Sequence, residues 1–146
     1  MSGTGMTLTP IPNFGKLGNS LMTKKDILKL AIDTTTSIRK RTKEQGVDFR
    51  GTPFKNYTKP YAIRKGQSFV NLTGTSAGSR MLNSMKQTAT GKKGFIYFGD
   101  SDKNNLAIYN SKSREFFEIG KDDEKMISKN YEALLRKKIS KWERAK

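Results

Sequence analysis

The stretch Thr23–Gly46, TKKDILKLAIDTTTSIRKRTKEQG, decides the fold of this chain. Apolar and small side chains recur in it at the spacing of one helix face, namely Ile27, Leu30, Ala31, Thr34 and Ile38. Thr23 and Asp26 match a capping box in which Asp takes the place of Glu. Gly46 can adopt the left-handed conformation that ends a helix. The sequence therefore predicts a long amphipathic helix from Thr23 to about Glu44.

A second long helix is predicted near the C-terminal end of the sequence. Asp122 is expected to cap it, because an acidic side chain is favourable at the positive end of a helix. The predicted apolar face consists of Met126, Ile127, Tyr131, Leu134, Leu135, Ile139 and Trp142. Each of the two long helices thus has one apolar side that another layer must cover.

Short strands are predicted between the two helices, at Ser68–Thr73, Ser84–Thr90, Gly94–Gly99 and Arg114–Gly120. The segment Gly91–Gly94 has the composition of a hairpin turn. Phe116 and Phe117 are expected to straddle the sheet, with one ring in the core. Short helices are predicted at Pro60–Lys65, Ser79–Asn83 and Leu106–Asn110, with Asp100–Asn105 as a polar loop.

The predicted fold class is α+β, with a small antiparallel β-sheet flanked by a long N-terminal helix and a C-terminal helix. We expect a single domain over residues 23–146. Residues 1–22 lack a sustained period and predict an N-terminal arm that is flexible or orders on assembly. The apolar residues of this arm that are candidates for subunit contact are Phe14, Leu17 and Leu21.

The composition excludes most familiar enzyme mechanisms. The 146 residues include no Cys and no His. The chain therefore has no disulfide, no thiolate nucleophile, no Ser-His-Asp triad and no imidazole metal ligand. We expect no enzyme activity, no catalytic residue, no metal and no cofactor. The apolar runs are at most four residues long, so we also expect no membrane segment. The first residues lack a basic stretch followed by an apolar one, so we expect no secretory signal.

The charge predicts attraction to polyanions. The chain has 29 Lys and Arg against 13 Asp and Glu, a net charge of +16, and residues 23–66 hold half of this excess with 12 basic and 4 acidic residues. The candidates to face DNA or an acidic partner are Arg39, Lys40, Arg41, Lys43, Lys92 and Lys93. For the first three, an alternative is that cations near the end of a helix complement its dipole.

Two loop motifs carry no specific chemistry. Gly74–Ser79 superficially suggests a phosphate loop, but the Gly-Lys-Ser/Thr ending of such loops is missing. The acidic residues Asp100 and Asp102 lack the spacing of a calcium loop. A metal-dependent nuclease that uses these two carboxylates is therefore the least favoured hypothesis.

An ordered set of short motifs runs along most of the chain. It contains Arg41-Thr42, Gly46–Phe54 with Tyr57, Tyr61, Val70–Thr73, Met81–Met85, Ile96–Phe98 and Arg114–Ile119. In order and spacing, this set resembles the virion-morphogenesis or tail-completion (neck, head-tail joining) proteins of long-tailed bacteriophages. The resemblance covers about residues 24–135. One departure is Glu118, where the family more often has Gly.

The resemblance implies a structural protein of the virion that is assembled in the host cytoplasm. It implies a homo-oligomeric ring, expected to be a hexamer, between the portal or connector and the tail proteins. Genomic DNA would pass through the lumen without sequence-specific contacts. A basic nucleic-acid-binding module of non-viral or host-derived origin is the alternative, since it explains the charge equally well but not the ordered motifs.

Overall fold

Two long helices and a three-stranded antiparallel sheet form the described part of the chain. The computed structural model describes residues 5–8, 21–66, 70, 72, 81–90 and 92–145. The strands are β1 (Gly5–Leu8), β2 (Met85–Ala89) and β3 (Gly94–Phe98), and the helices are α1 (Lys24–Lys40), α2 (Lys59–Lys65), α3 (Ser101–Ser111) and α4 (Lys121–Arg144). The predicted α+β class, with a small antiparallel sheet and two long flanking helices, is confirmed.

Helix α1 begins at the predicted capping box. The Thr23 hydroxyl accepts the backbone N–H of Asp26, and the Asp26 carboxylate accepts the backbone N–H of Thr23 at 2.8 Å. The α-helix ends at Lys40 and continues as one π-helical turn over Arg41–Gln45, after which Gly46 has a φ of 63°. The helix therefore extends as far as predicted, but its last turn is wound more loosely than the α-helix.

The sheet has the strand order β1-β3-β2, and both neighbouring pairs are antiparallel. Strands β2 and β3 form the predicted hairpin, in which Met85 pairs with Phe98 and Ala89 with Gly94. Helix α1 lies directly on this sheet. The approach is close enough that a Cβ placed at Gly94 would be only 3.3 Å from Ile27 Cγ2. A larger residue at Gly94 would therefore push the helix away from the strand.

Part of the N-terminal arm belongs to the sheet. Residues 5–8, for which no strand was predicted, pair with β3 as the edge strand β1, and Leu8 is only 1% exposed. Leu21 is partly buried and packs against the core of its own chain. The other two arm residues that the sequence singled out for subunit contact, Phe14 and Leu17, lie outside the described residues.

Helix α4 packs antiparallel to α1 and closes the core. Its buried residues are Asp123, Ile127, Tyr131 and Leu135. Lys138 Nζ lies 2.7 Å from the Asp26 carboxylate at the start of α1, whereas Ser37, near the end of α1, donates to Asp123 at 2.5 Å. Polar contacts thus fix the two ends of the helix pair, with apolar packing between them.

Several local predictions were wrong. Residues 114–120 form no strand, and both Phe116 and Phe117 are buried, at 0% and 5% exposure, rather than one on each side of a sheet. Helix α3 covers Ser101–Ser111, so the predicted polar loop is its first turn. Gly120 rather than Asp122 precedes α4, and Trp142 is 57% exposed rather than part of the core. Most of the predicted strand Ser68–Thr73 lies outside the described residues.

Asp26 makes the stability of the fold depend on pH. Burial opposes its charge, but hydrogen bonds from Lys138 and Thr23 outweigh burial and hold the pKa of Asp26 below its ordinary value of 3.8. A group with a lowered pKa stabilises the folded state above its unfolded-state pKa, and this contribution is lost as the pH falls through the folded-state pKa. We expect Asp26→Asn to lower the free energy of unfolding by about 1 kcal/mol at neutral pH.

The pH profile separates this effect from a general loss of charge. In urea titrations, the difference between Asp26→Asn and the unsubstituted protein should shrink once the pH falls below the ordinary pKa of 3.8 and vanish below the lowered folded-state pKa of Asp26. Asp122→Asn is the matched control, because the Asp122 side chain is fully exposed in the same helix pair. A constant difference from pH 7 to pH 3 would contradict the assignment of Asp26.

Candidate functional site

The segment after α1 folds into a tight turn around Asp48. The Asp48 carboxylate accepts the backbone N–H groups of Arg50 and Thr52 at 2.8 and 2.9 Å. Gly51 has a φ of 84°, a conformation that favours glycine. The turn directs Phe54 into the core, where it is 5% exposed. This local chemistry explains the Gly-x-Asp-x-x-Gly-x-x-Phe pattern in the sequence.

Arg41 lies at the centre of a polar clamp that joins α1, α4 and the segment between α3 and α4. Its guanidinium forms an ion pair with Asp123 and donates to the backbone carbonyls of Phe116 and Glu118 at 2.8 and 3.0 Å. The Asp123 side chain is 2% exposed. Its carboxylate also accepts from Ser37 and from the backbone N–H of Gly120. We call this group, Ser37, Arg41, Gly120 and Asp123, the internal clamp.

Gly120 is required at the start of α4 because the backbone of the Asp48 turn passes close to it. A Cβ at this position would lie 2.0 Å from the carbonyl oxygen of Phe49. A larger residue at Gly120 would therefore displace the Asp48 turn from the start of α4.

The motif that begins at Arg114 contacts the motif that contains Tyr57. The Arg114 guanidinium lies over the Tyr57 ring at 5.3 Å, and its Nε donates to the carbonyl of Lys55 at 3.1 Å. Phe116 and Phe117 pack against Phe98 of β3, with centroid distances of 6.3 and 4.9 Å. Short motifs that are far apart in the sequence therefore converge into one cluster.

The cations that the sequence proposed for a DNA-facing surface separate into two groups. Arg41 belongs to the internal clamp, and Arg39 donates to the carbonyls of Leu82 and Met85, so both hold the fold together. Their guanidinium groups thus bind backbone carbonyls of the same chain, and contact of these two residues with DNA or an acidic partner stays a prediction. The remaining candidates, Lys40, Lys43, Lys92 and Lys93, are exposed.

A cleft of about 830 Å³ lies over the internal clamp. The end of α1, the Asp48 turn and the first turn of α4 line it, and its charged residues have both signs. The Asp123 carboxylate already accepts the N–H of Gly120, so the protein itself occupies the positive end of α4. The cleft therefore does not present a dedicated site for an external anion.

A second cationic surface lies on and around α2, and it contains none of the six cations proposed from the sequence. Arg64 lies over the Tyr61 ring at 5.6 Å, and the Tyr61 and Tyr57 rings meet edge to face at 4.8 Å. Because Arg114 lies over Tyr57, the four side chains form a row in which the two rings lie between the two guanidinium groups. Lys55, Lys59 and Ile63 are exposed beside them, Ile63 at 80%. We call these seven residues the α2 surface.

A sequence signal for this surface exists in the distribution of acidic residues. From Phe49 to Gly99 the chain contains no Asp or Glu. The same stretch contains nine cations, Arg50, Lys55, Lys59, Arg64, Lys65, Arg80, Lys86, Lys92 and Lys93. The charge is therefore more one-sided here than around the end of α1, where Glu44 and Asp48 follow the basic run.

The two acidic residues considered for metal chemistry have other contacts. Asp100 precedes α3 and accepts the backbone N–H of Lys103 at 3.1 Å, and Asp102 lies in the first turn of that helix. The described residues contain no group of three or more potential metal-ligating side chains. Within the same part of the chain, none of the helices combines the length and the apolar character needed to cross a bilayer.

Comparisons with family models, with curated proteins and with solved structures give no match to this chain.

Proposed function

We propose that this protein is a structural component of a long-tailed phage virion, where it forms a ring in the neck at which head and tail are joined. Copies of the chain would assemble into a hexamer between the connector and the tail proteins, and genomic DNA would pass through the opening. In this function the protein supplies shape and contacts, and no residue acts as a catalyst.

The observation that supports this proposal most directly is that the motifs shared with the phage neck proteins lie next to one another in the fold. Arg41 donates to the carbonyls of Phe116 and Glu118, and Arg114 contacts Tyr57 and the carbonyl of Lys55. The Asp48 turn is joined to Glu115 by the Phe49 N–H and the Arg50 side chain. Short patterns that match a family by chance need not meet in space. Their meeting in one cluster favours the interpretation that they specify one structural unit.

Exposed apolar side chains give independent support for assembly. Ile32, Ile63, Tyr109 and Trp142 are between 45% and 80% exposed. They lie one each on the four helices α1, α2, α3 and α4. A subunit of a closed ring needs two different contact surfaces, because its interfaces are heterologous. Apolar residues on several sides of the molecule suit such contacts.

The proposal predicts a discrete ring. In light scattering and negative-stain microscopy, the purified protein, alone or mixed with the connector of the same virion, should give particles with a central opening and a fixed number of subunits. A protein that stays monomeric at high concentration, with and without connector and tail proteins, would contradict it. A continuous rise of mass with concentration would indicate non-specific association instead.

A basic nucleic-acid-binding module remains the alternative function, and the α2 surface is the observation that favours it. This alternative predicts a monomer that binds free duplex at nanomolar affinity in moderate salt. The two functions therefore differ in the state of the protein: a neck protein forms its ring without DNA, whereas the module does not.

A further inference from the structure

We infer that the α2 surface is the part of this chain that contacts the phosphate backbone of double-stranded DNA. The inference deepens the proposed function and rests on it only for the source of the DNA, since the surface can be tested by itself. The contacting cations would be Lys55, Lys59, Arg64 and Arg114 rather than the basic residues at the end of α1.

Among the described residues, none of the ion pairs includes any of these four cations. The acid nearest in sequence to Arg114 is Glu115, and its carboxylate is paired with Arg50. Because no acidic residue lies between Phe49 and Gly99, the positive potential of α2 is not cancelled by its own segment.

Two tyrosine rings position the two guanidinium groups of this surface. A guanidinium that stacks on a ring uses its flat face, so the N–H donors around its edge stay directed outward. Arg64 and Arg114 lie over the Tyr61 and Tyr57 rings at 5.6 and 5.3 Å, and only the Nε–H of Arg114 is bound to a carbonyl, that of Lys55. The remaining N–H groups of the two guanidinium groups match phosphate oxygens, and the ring contacts lower the entropic cost of ordering these side chains.

The arrangement of the two tyrosine rings favours a duplex over a single strand. Single-stranded nucleic acid is usually held by bases that stack on aromatic side chains. Here the Tyr57 and Tyr61 rings are partly buried, meet each other edge to face, and each carries a guanidinium. The rings therefore support the arginines rather than form a platform for bases. Contacts that involve only the phosphate backbone of the DNA do not depend on the base sequence, so they favour a duplex of any sequence.

The test compares two double variants that remove equal charge. Lys59→Gln/Arg64→Gln changes the α2 surface, and Arg136→Gln/Lys137→Gln is the matched control, because Arg136 and Lys137 are exposed on α4. Binding of a labelled duplex of arbitrary sequence is measured by fluorescence anisotropy over a range of salt concentrations. Circular dichroism and thermal melting verify that each variant is folded.

We expect the α2 variant to bind duplex at least about tenfold more weakly at low salt. Its salt slope should be shallower by about 2, roughly 1 for each phosphate that the variant no longer neutralises. The control should change both quantities by less than half as much. Arg64→Lys, which keeps the charge but not the fork, should retain most of the salt slope. Two duplexes of unrelated sequence should bind alike.

Four results would overturn the inference. The first is that the unsubstituted protein does not bind duplex measurably, and the second is that the two double variants weaken binding equally. The third is that single strands bind more tightly than duplex and that Tyr61→Ala causes the largest loss of affinity. The fourth is that Lys59→Gln/Arg64→Gln prevents ring assembly but leaves the DNA affinity unchanged. The last result would make the α2 surface a subunit contact.

Light scattering on the same samples keeps this inference separate from the proposed function. If rings form and Lys59→Gln/Arg64→Gln has no special effect on DNA binding, only the assignment of the surface fails. If the surface binds duplex as expected but no ring forms with connector proteins, the neck function fails and the nucleic-acid-binding module takes its place.

Discussion

Replacement of Arg41 by Met should lower the free energy of unfolding by about 3–5 kcal/mol, the usual cost of removing one partner from a buried ion pair. The substitution leaves the Asp123 carboxylate, which is 2% exposed, without its cation. It also removes the donor from the carbonyls of Phe116 and Glu118. Unfolding in urea, followed by circular dichroism, measures the loss.

Three further variants show which part of the internal clamp matters. Lys40→Met is the control, since Lys40 is exposed one residue earlier and its loss should change stability by no more than about 0.5 kcal/mol. Arg41→Lys should be intermediate, because an ammonium cannot reproduce the forked contacts. Arg41→Met/Asp123→Leu should recover part of the loss, because no charge is then left buried. A loss below about 1 kcal/mol in Arg41→Met would contradict the role of the clamp.

Truncation of either Phe116 or Phe117 to Ala is expected to cost about 3–5 kcal/mol, because each ring is buried against Phe98. This outcome separates the structure from the strand that the sequence predicted for residues 114–120. Neighbouring residues of a strand point to opposite faces, so a strand would give one large and one small effect.

Tyr109→Ala serves as the control for aromatic truncation, because Tyr109 is 71% exposed and its loss should be small. Chemical denaturation at a fixed pH gives the three values on one scale. Losses under about 1 kcal/mol for both phenylalanines would show that the aromatic cluster is not part of the core.

The sequence predicts those elements that are specified by neighbouring residues. The α1 capping box depends on Thr23 and Asp26, three positions apart, and the β2–β3 hairpin depends on a turn of a few residues. Both are confirmed. The fold class follows from these elements together with the apolar face of α4, because their order leaves few other arrangements.

The features that the sequence does not reveal depend on distant residues. Strand β1 has four residues, and its only hydrogen-bonded partner in the described sheet is β3, about ninety positions later. In residues 114–120, the Phe116 carbonyl accepts from Arg41 rather than from a strand, so adjacent aromatic residues can both be buried. The same holds for the candidate site, since Arg64 and Arg114 share a surface only through Tyr57 and Tyr61.

The edge strand β1 has a practical consequence for handling the protein. Removal of residues 1–22 as a dispensable tail would delete Leu8 from the core and leave the backbone of β3 open on one side. Open edges of this kind template intermolecular pairing and aggregation. The exposed end of α4 around Arg144 and Ala145 is the better place for an affinity tag, because a fusion there leaves the sheet intact.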